Sequence, residues 1–418
     1  MRGSWRMVLF VTNMIASSPA ATQTFGVPRG VIMLGLVSFL TDLSSEAIFA
    51  VMPLFLTGVM GASTLVLGTM EGFADFAASS LDLASGFASD RLGKRKGLAV
   101  LGYGLSSTAK IVLLFAATTA QVFAFRVVER LGKSIRGAPR DALLAGVAPK
   151  ETRGASFGVH KAFDKAGAIV GPLVAFVLLD HFGQSLGSFR RLFLVALVPA
   201  FVSVAVLVLF VPERKGAAAS RRVPFREALA TLGPDFKHYL ISTGLFSGAY
   251  FSYAFILLAA ARAHFESKHV ALLYALFNVS FTVLSVPMGR LGDRIGRRAI
   301  IASSYALYGL LALGFAMTTS KAAVIMLFLV YGVFFAIDEG QTKAYIADLV
   351  PDATRATAIG THGFVTALVY LPASLLAGGL WKAFGPGATF GVASGLAFVA
   401  FGYFLVFQPR PRKSGDEA

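Results

Sequence analysis

Twelve long apolar runs, separated by short polar turns, set the pattern of this chain. They fall near 31–59, 64–88, 97–117, 121–148, 153–179, 192–211, 239–260, 270–291, 299–317, 321–348, 354–380 and 387–407. An apolar helix of about 20 residues crosses a bilayer, so each run predicts a transmembrane helix and the expected fold is all-α and polytopic. The longest polar stretch, 213–237, is basic and lies near mid-chain. It divides a six-helix bundle at 31–212 from a second at 238–408, leaving 1–30 as an N-terminal extension and 409–418 as a tail. Arg2, Arg6, the short apolar piece Met7–Ala16 and Ser17-Ser18-Pro19 mimic a secretory signal. Cleavage there would start the chain on the wrong side of the membrane for the loops that follow, so a cytoplasmic extension is expected.

The two halves repeat in register. Gly86-Phe-Ala-Ser-Asp90-Arg91-Leu-Gly93-Lys94-Arg95 returns as Gly289-Arg-Leu-Gly-Asp293-Arg294-Ile-Gly296-Arg297-Arg298, an offset of 203 (86 to 289). Ala145 to His160 lines up with Ala347 to His362, an offset of 202 (145 to 347). In each signature turn the glycines allow helix ends to approach closely. The Asp suits hydrogen bonds from the free N–H groups of the next helix. The Arg/Lys cluster marks a cytoplasmic loop. Lys and Arg concentrate in alternate loops, at 91–96, 150–153, 214–222, 290–298 and 410–413, which places both termini in the cytoplasm.

This doubled turn resembles the loop signature of the major facilitator superfamily, between spans 2 and 3 and again between spans 8 and 9. The resemblance implies two parallel six-span halves built from nested repeats, and secondary active transport by alternating access. It implies gating roles for Gly86, Asp90, Arg91, Gly93, Gly289, Asp293, Arg294 and Gly296. Arg126 stands where the family's fourth-span motif R-x-x-Q-G has its arginine, with Glu129 for Gln and Arg130 for Gly. In drug–proton antiporters that arginine is associated with proton coupling. Gly167-Ala-Ile-Val-Gly171-Pro172 resembles the G-x-x-x-G-P of the antiporter motif in span 5. Thr41-Asp42-Leu-Ser-Ser45-Glu46 is similar to a prokaryotic subgroup with T-D-x-x-S-E in span 1. The expected home is the inner membrane of a prokaryote.

Composition agrees with a membrane protein: of 418 residues, 56% are hydrophobic and 14% charged, against about 25% charged in a soluble domain. The net charge of +16 lies in loops rather than in a basic domain, which argues against nucleic acid. With no cysteine, disulfides, thiolate metal sites and thiol nucleophiles are excluded. Gly132-Lys133-Ser134 mimics the end of a phosphate-binding loop, but Val127 stands where its first glycine belongs. No Gly-x-Ser-x-Gly elbow appears, and the histidines form no ligand-spaced cluster. No enzymatic role, cofactor or metal is expected; the partners are lipid, protons and a small solute, and the protein is expected to be a monomer.

Ionisable groups inside a membrane are expensive and face cavities or one another. Asp42 and Glu46 lie one helical turn apart on span 1. Two acids so close in a medium of low polarity suit a proton carrier, so Asp42, Glu46 and Arg126 are the expected proton-coupling residues. On span 4, Arg126, Arg130 and Lys133 share a face; Lys161 and Lys165 pair on span 5 around Asp164. The alternative is a set of static salt bridges that lock spans 1, 4 and 5. Arg130, Lys133, Lys161, Lys165, Asn278, Tyr250, Asp338 and Glu339 are the expected substrate-binding residues. The cationic faces favour an anionic or zwitterionic organic solute; multidrug or toxin efflux by proton antiport is the competing expectation.

Overall fold

The computed structural model describes residues 27–92, 95–148, 153–213, 233–350 and 355–407, without the side chains of 82–92, 153 and 355–357. The N-terminal extension to residue 26, most of the linker, the tail, and the side chains of Gly86, Asp90, Arg91 and Gly93 lie outside the described residues. Among those described, ten helices are long and apolar enough to cross a membrane. Two more, Thr64–Leu92 and Thr119–Val147, carry more charge and pack among them. They complete twelve spans: all-α, two bundles of six.

The packing repeats with the sequence. Span 1 (Arg29–Phe49) lies against span 5 (Arg153–Phe182) and span 6 (Leu186–Phe210). Span 7 (Pro234–Ala249) lies in the same way against span 11 (Arg355–Phe384) and span 12 (Pro386–Phe407). Span 4 (Thr119–Val147) packs on span 2 (Thr64–Leu92) and span 3 (Arg95–Ala109), as span 10 (Lys321–Leu349) packs on span 8 (Ser267–Ile295) and span 9 (Arg297–Met317). Two further contacts, span 2 with span 11 and span 5 with span 8, exchange under the same pseudo-twofold and join the halves.

Small residues set the closest approaches. A Cβ on Gly167 would lie 2.4 Å from the Phe39 carbonyl and one on Gly171 2.7 Å from that of Leu43. The span-5 motif therefore seats that helix against span 1, backbone to backbone. At the seam between halves, a Cβ on Gly68 would lie 2.2 Å from the Ser374 carbonyl, and one on Gly378 2.5 Å from that of Thr64. The seam is tight at the end remote from the signature turns, where Lys268 also pairs with Asp180 at 2.9 Å and Gln184 Nε2 donates to Glu266 at 3.1 Å.

The signature turns fasten helix ends within each half. Gly296 has φ +92 and both closes span 8 and opens span 9, a conformation suited to glycine. Arg297 donates to the Ala344 carbonyl at 3.4 Å and Arg298 to that of Leu405 at 2.7 Å. In the first half Arg95 donates to the Ala142 carbonyl at 3.2 Å and Lys96 to that of Val208 at 2.8 Å. Cations thus satisfy open carbonyls at the ends of spans 6 and 12 and add a second donor to carbonyls near the ends of spans 4 and 10. The aspartate does not take the expected place as a cap. Span 9 has no side-chain cap, and Asp293 instead faces the Arg297 guanidinium at 3.7 Å, a charged partner that outweighs a neutral N–H. Gly289 offers its carbonyl to Gln341 at 3.1 Å, and Arg294 is exposed in the last turn of span 8.

Candidate functional site

Three spans are interrupted, and the interruptions shape the interior. Span 1 stops at Phe49 and resumes as Met52–Leu54 and a wide turn, Phe55–Val59, around Pro53, which lacks the N–H a continuous helix needs. Span 7 breaks at Tyr250–Ser252 before Tyr253–Arg262, and the Ser252 hydroxyl caps the second segment. Span 3 breaks at Lys110. Freed backbone at this depth is tolerated beside protein or a cavity.

Between the halves lies a cavity of about 470 Å³, within the ~300–1,000 Å³ usual for small-molecule sites. Its first-half wall is ionic, with Asp42, Glu46, Asp75, Arg130, Lys133 and Lys161 among the lining groups. Its second-half wall is aromatic, with Tyr250, Tyr253, Tyr274, Phe277, Phe281 and Phe335. The asymmetry follows from sequence: span 4 carries Arg130, Lys133, Arg136 and Arg140 where span 10 presents Phe335 and Glu339.

Most lining charges are engaged. Asp42 on span 1 and Asp164 on span 5 are neighbours on this wall. Glu46 accepts the Tyr274 hydroxyl at 2.7 Å, a bond between the two halves. Arg130 pairs with Asp75 at 3.0 Å. Lys161 bridges Asp164 at 3.3 Å and Glu339 at 3.2 Å, while Lys165 lies 3.6 Å from Glu339 and 3.7 Å above the Phe281 ring. These lysine–Glu339 pairs cross between halves on the basic side of the cavity. Asn278 lines it too and donates to the Tyr274 carbonyl at 3.0 Å.

Arg126 and Asp338 are not among the lining groups. Arg126 is fully enclosed, with two parallel bonds to Glu71 (2.8 and 2.7 Å), Glu129 at 3.6 Å and the Phe49 ring beneath it at 4.2 Å. The Ser252 hydroxyl from the other half donates to the same Glu71 at 3.2 Å. This sealed cluster joins span 4 to spans 2 and 7, not to spans 1 and 5 as the static-lock alternative expects. Asp338 accepts from Thr342 at 3.4 Å inside the second bundle.

Sequence reasoning omitted Asp75, Asp164, Arg136, Arg140, Phe335 and Tyr370 from the site. Asp75 had a signal, since it follows Glu71 by one turn on span 2. The aromatic contributions of spans 10 and 11 had none, because apolar spans are full of such residues. Of the two repeat-related histidines, His160 hydrogen-bonds Ser38 at 3.0 Å, whereas His362 stacks on Tyr239 at 5.6 Å. Among the described residues no cluster of three or more metal-ligating side chains occurs.

Two pseudo-symmetric bundles around one polar cavity define a membrane carrier fold. The family model of the Major Facilitator Superfamily matches residues 34–265 and 239–418, and the chain belongs to that superfamily of transporters. It is 36% identical over 385 residues to an MFS-type transporter of Methanocaldococcus jannaschii, covering 91% of this chain and 94% of the relative. It is 26% identical over 318 residues to a gentisate transporter of Corynebacterium glutamicum, covering 71% of this chain and 69% of that one. Among solved structures it resembles a POT family transporter in complex with a thioalcohol-conjugated peptide, with TM-score 0.78 and 14% identity, covering 93% and 98% of the two chains. That last likeness concerns the fold.

Proposed function

We propose that this protein is a proton-coupled secondary transporter that moves a small anionic or zwitterionic organic solute by rocking its halves about the cavity. The observation that carries the reading is the position of Asp42 and Glu46 on the cavity wall. Asp42 neighbours the Asp164 carboxyl and Glu46 holds a hydrogen bond to the opposite half. Two neighbouring carboxyls share one proton readily, and a proton lost from that pair leaves two like charges side by side. The Glu46–Tyr274 bond must break when the halves separate, which ties the charge on span 1 to the movement.

The cations of spans 4 and 5 support an anionic solute, and the Corynebacterium relative is a carrier of an organic anion, gentisate. The aromatic wall favours a second reading, efflux of lipophilic compounds; six lining cations against five carboxyls weigh against it for cationic drugs. The Lys/Arg bias of alternate loops supports both termini in the cytoplasm, and the proposed carrier is a monomer in the inner membrane of a prokaryote. The test is flux into proteoliposomes under an imposed pH gradient, with Asp42→Asn and Glu46→Gln. The expected result is that at least one loses gradient-driven accumulation while retaining exchange. Unchanged gradient dependence in both removes proton coupling through this pair.

A further inference from the structure

We infer that the solute is an aromatic monocarboxylate, its carboxylate on the ammonium of Lys133 and its ring against the aromatic wall; this rests on the transport reading and names its substrate class. Leftover valence on the wall carries the assignment. The lining carboxyls are largely committed: Asp164 to the Lys161 ammonium, Asp75 to the Arg130 guanidinium, Glu46 to the Tyr274 hydroxyl and Glu339 to two lysines, while Asp42 lies beside Asp164. At the committed carboxyls a cationic solute would have to displace a partner. Of the cations, Arg140 pairs with Asp141 at 2.9 Å, and the buried Arg136 donates to Ser106 at 2.6 Å with its guanidinium over Tyr103. Lys133 differs. Its side chain is exposed to the cavity and, among the described residues, it makes neither ion pair nor hydrogen bond. The Lys133 ammonium lies within the field of Asp42 and Asp164 but contacts neither directly, so its donors are open to one anionic group.

The facing wall specifies what carries that group. Tyr253, Tyr274, Phe277 and Phe281 form a row of nearly parallel rings, with successive centroids at 5.4, 5.6 and 6.2 Å and interplanar angles of 15, 21 and 18°. Phe335 meets Phe277 edge-on at 5.1 Å. All five line the cavity, and they offer a further ring the offset and edge-to-face contacts aromatic pairs prefer. An aliphatic acid would satisfy Lys133 and forgo these contacts.

Binding to the full chain in nanodiscs tests this, with benzoate, cyclohexanecarboxylate and benzyltrimethylammonium as probes and with Lys133→Gln, Lys133→Arg and Tyr253→Leu. The expected order has benzoate tighter than cyclohexanecarboxylate by about threefold or more, and the ammonium without effect. Lys133→Gln loses about tenfold or more for benzoate, Lys133→Arg keeps most of it, and Tyr253→Leu narrows the gap between the two acids. Circular-dichroism melting of each variant shows that it is folded. Equal binding of the two acids, tight binding of the ammonium, or indifference to Lys133→Gln overturns the assignment. If no probe binds while vesicles take up a non-aromatic solute, the substrate class is wrong and the transport reading stands. Benzoate binding with no flux of any solute would keep the class and sink transport.

Discussion

Arg126→Gln isolates the sealed cluster from the cavity. The guanidinium holds Glu71 by two bonds and stands 3.6 Å from Glu129, and those carboxylates are 3% and 0% exposed. Breaking a buried pair by removing one partner costs roughly 3–5 kcal/mol. The upper part of that range applies, because two carboxylates lose the same partner and the Phe49 contact at 4.2 Å goes with it; the Ser252 hydroxyl remains on Glu71. Such a loss lowers the melting temperature on the order of 10 °C for a bundle of this size. Helix content followed by circular dichroism in detergent measures it. Replacing Glu71, Arg126 and Glu129 together by methionine should recover most of the stability, since apolar groups of similar volume replace buried ion pairs without loss. Melting of Arg126→Gln within about 2 °C of the parent would mean that water reaches the cluster and would refute its description as sealed.

Gly68→Val should wedge the seam, where even a Cβ would lie 2.2 Å from the Ser374 carbonyl. Overpacking of about 1–3 kcal/mol shifts the population toward opening at that end, read as faster thiol labelling of a cysteine introduced at Thr64; unchanged labelling counts against a tight seam. Asp180→Asn removes an exposed pair with Lys268 and should leave melting unchanged, because exposed ion pairs contribute little. A clear drop would show that this pair locks the halves. Arg298→Ala leaves the Leu405 carbonyl at the end of span 12 without its donor and should lower stability by about 1–2 kcal/mol, detected in the same melting experiment. No change would reduce the signature cations to topological markers.

The architecture was legible because it rests on periodic, repeated features. The apolar runs, the basic linker and the doubled Gly-Asp-Arg-Gly turn are local in sequence, and the packing obeys the same offset. The site was legible in its charges. Asp42, Glu46, Arg130, Lys133, Lys161 and Lys165 stand out because charge within a span is costly, and all six line the cavity. What the sequence could not resolve is direction around each helix. Arg126 shares a face with Arg130 and Lys133 in the linear pattern, yet Glu71 on a neighbouring span encloses it, and spans 2 and 4 give no hint of their relative register. Of the aromatic wall, Tyr250 was expected and lines the cavity, whereas Phe335 and Tyr370 were hidden for the opposite reason: they differ from lipid-facing rings only in where the bundle turns them.

Alternating access itself is tested by two distances in one protein. With no native cysteine, spin labels can be placed at Leu186 and Leu272 near the tight seam, and at Ala155 and Lys343 near the basic end. Measured in nanodiscs between acidic and alkaline buffer, with and without benzoate, the two separations should change in opposite directions, one opening as the other closes. Separations that stay fixed under every condition, or that widen and narrow together, would contradict a carrier built from two rocking bundles.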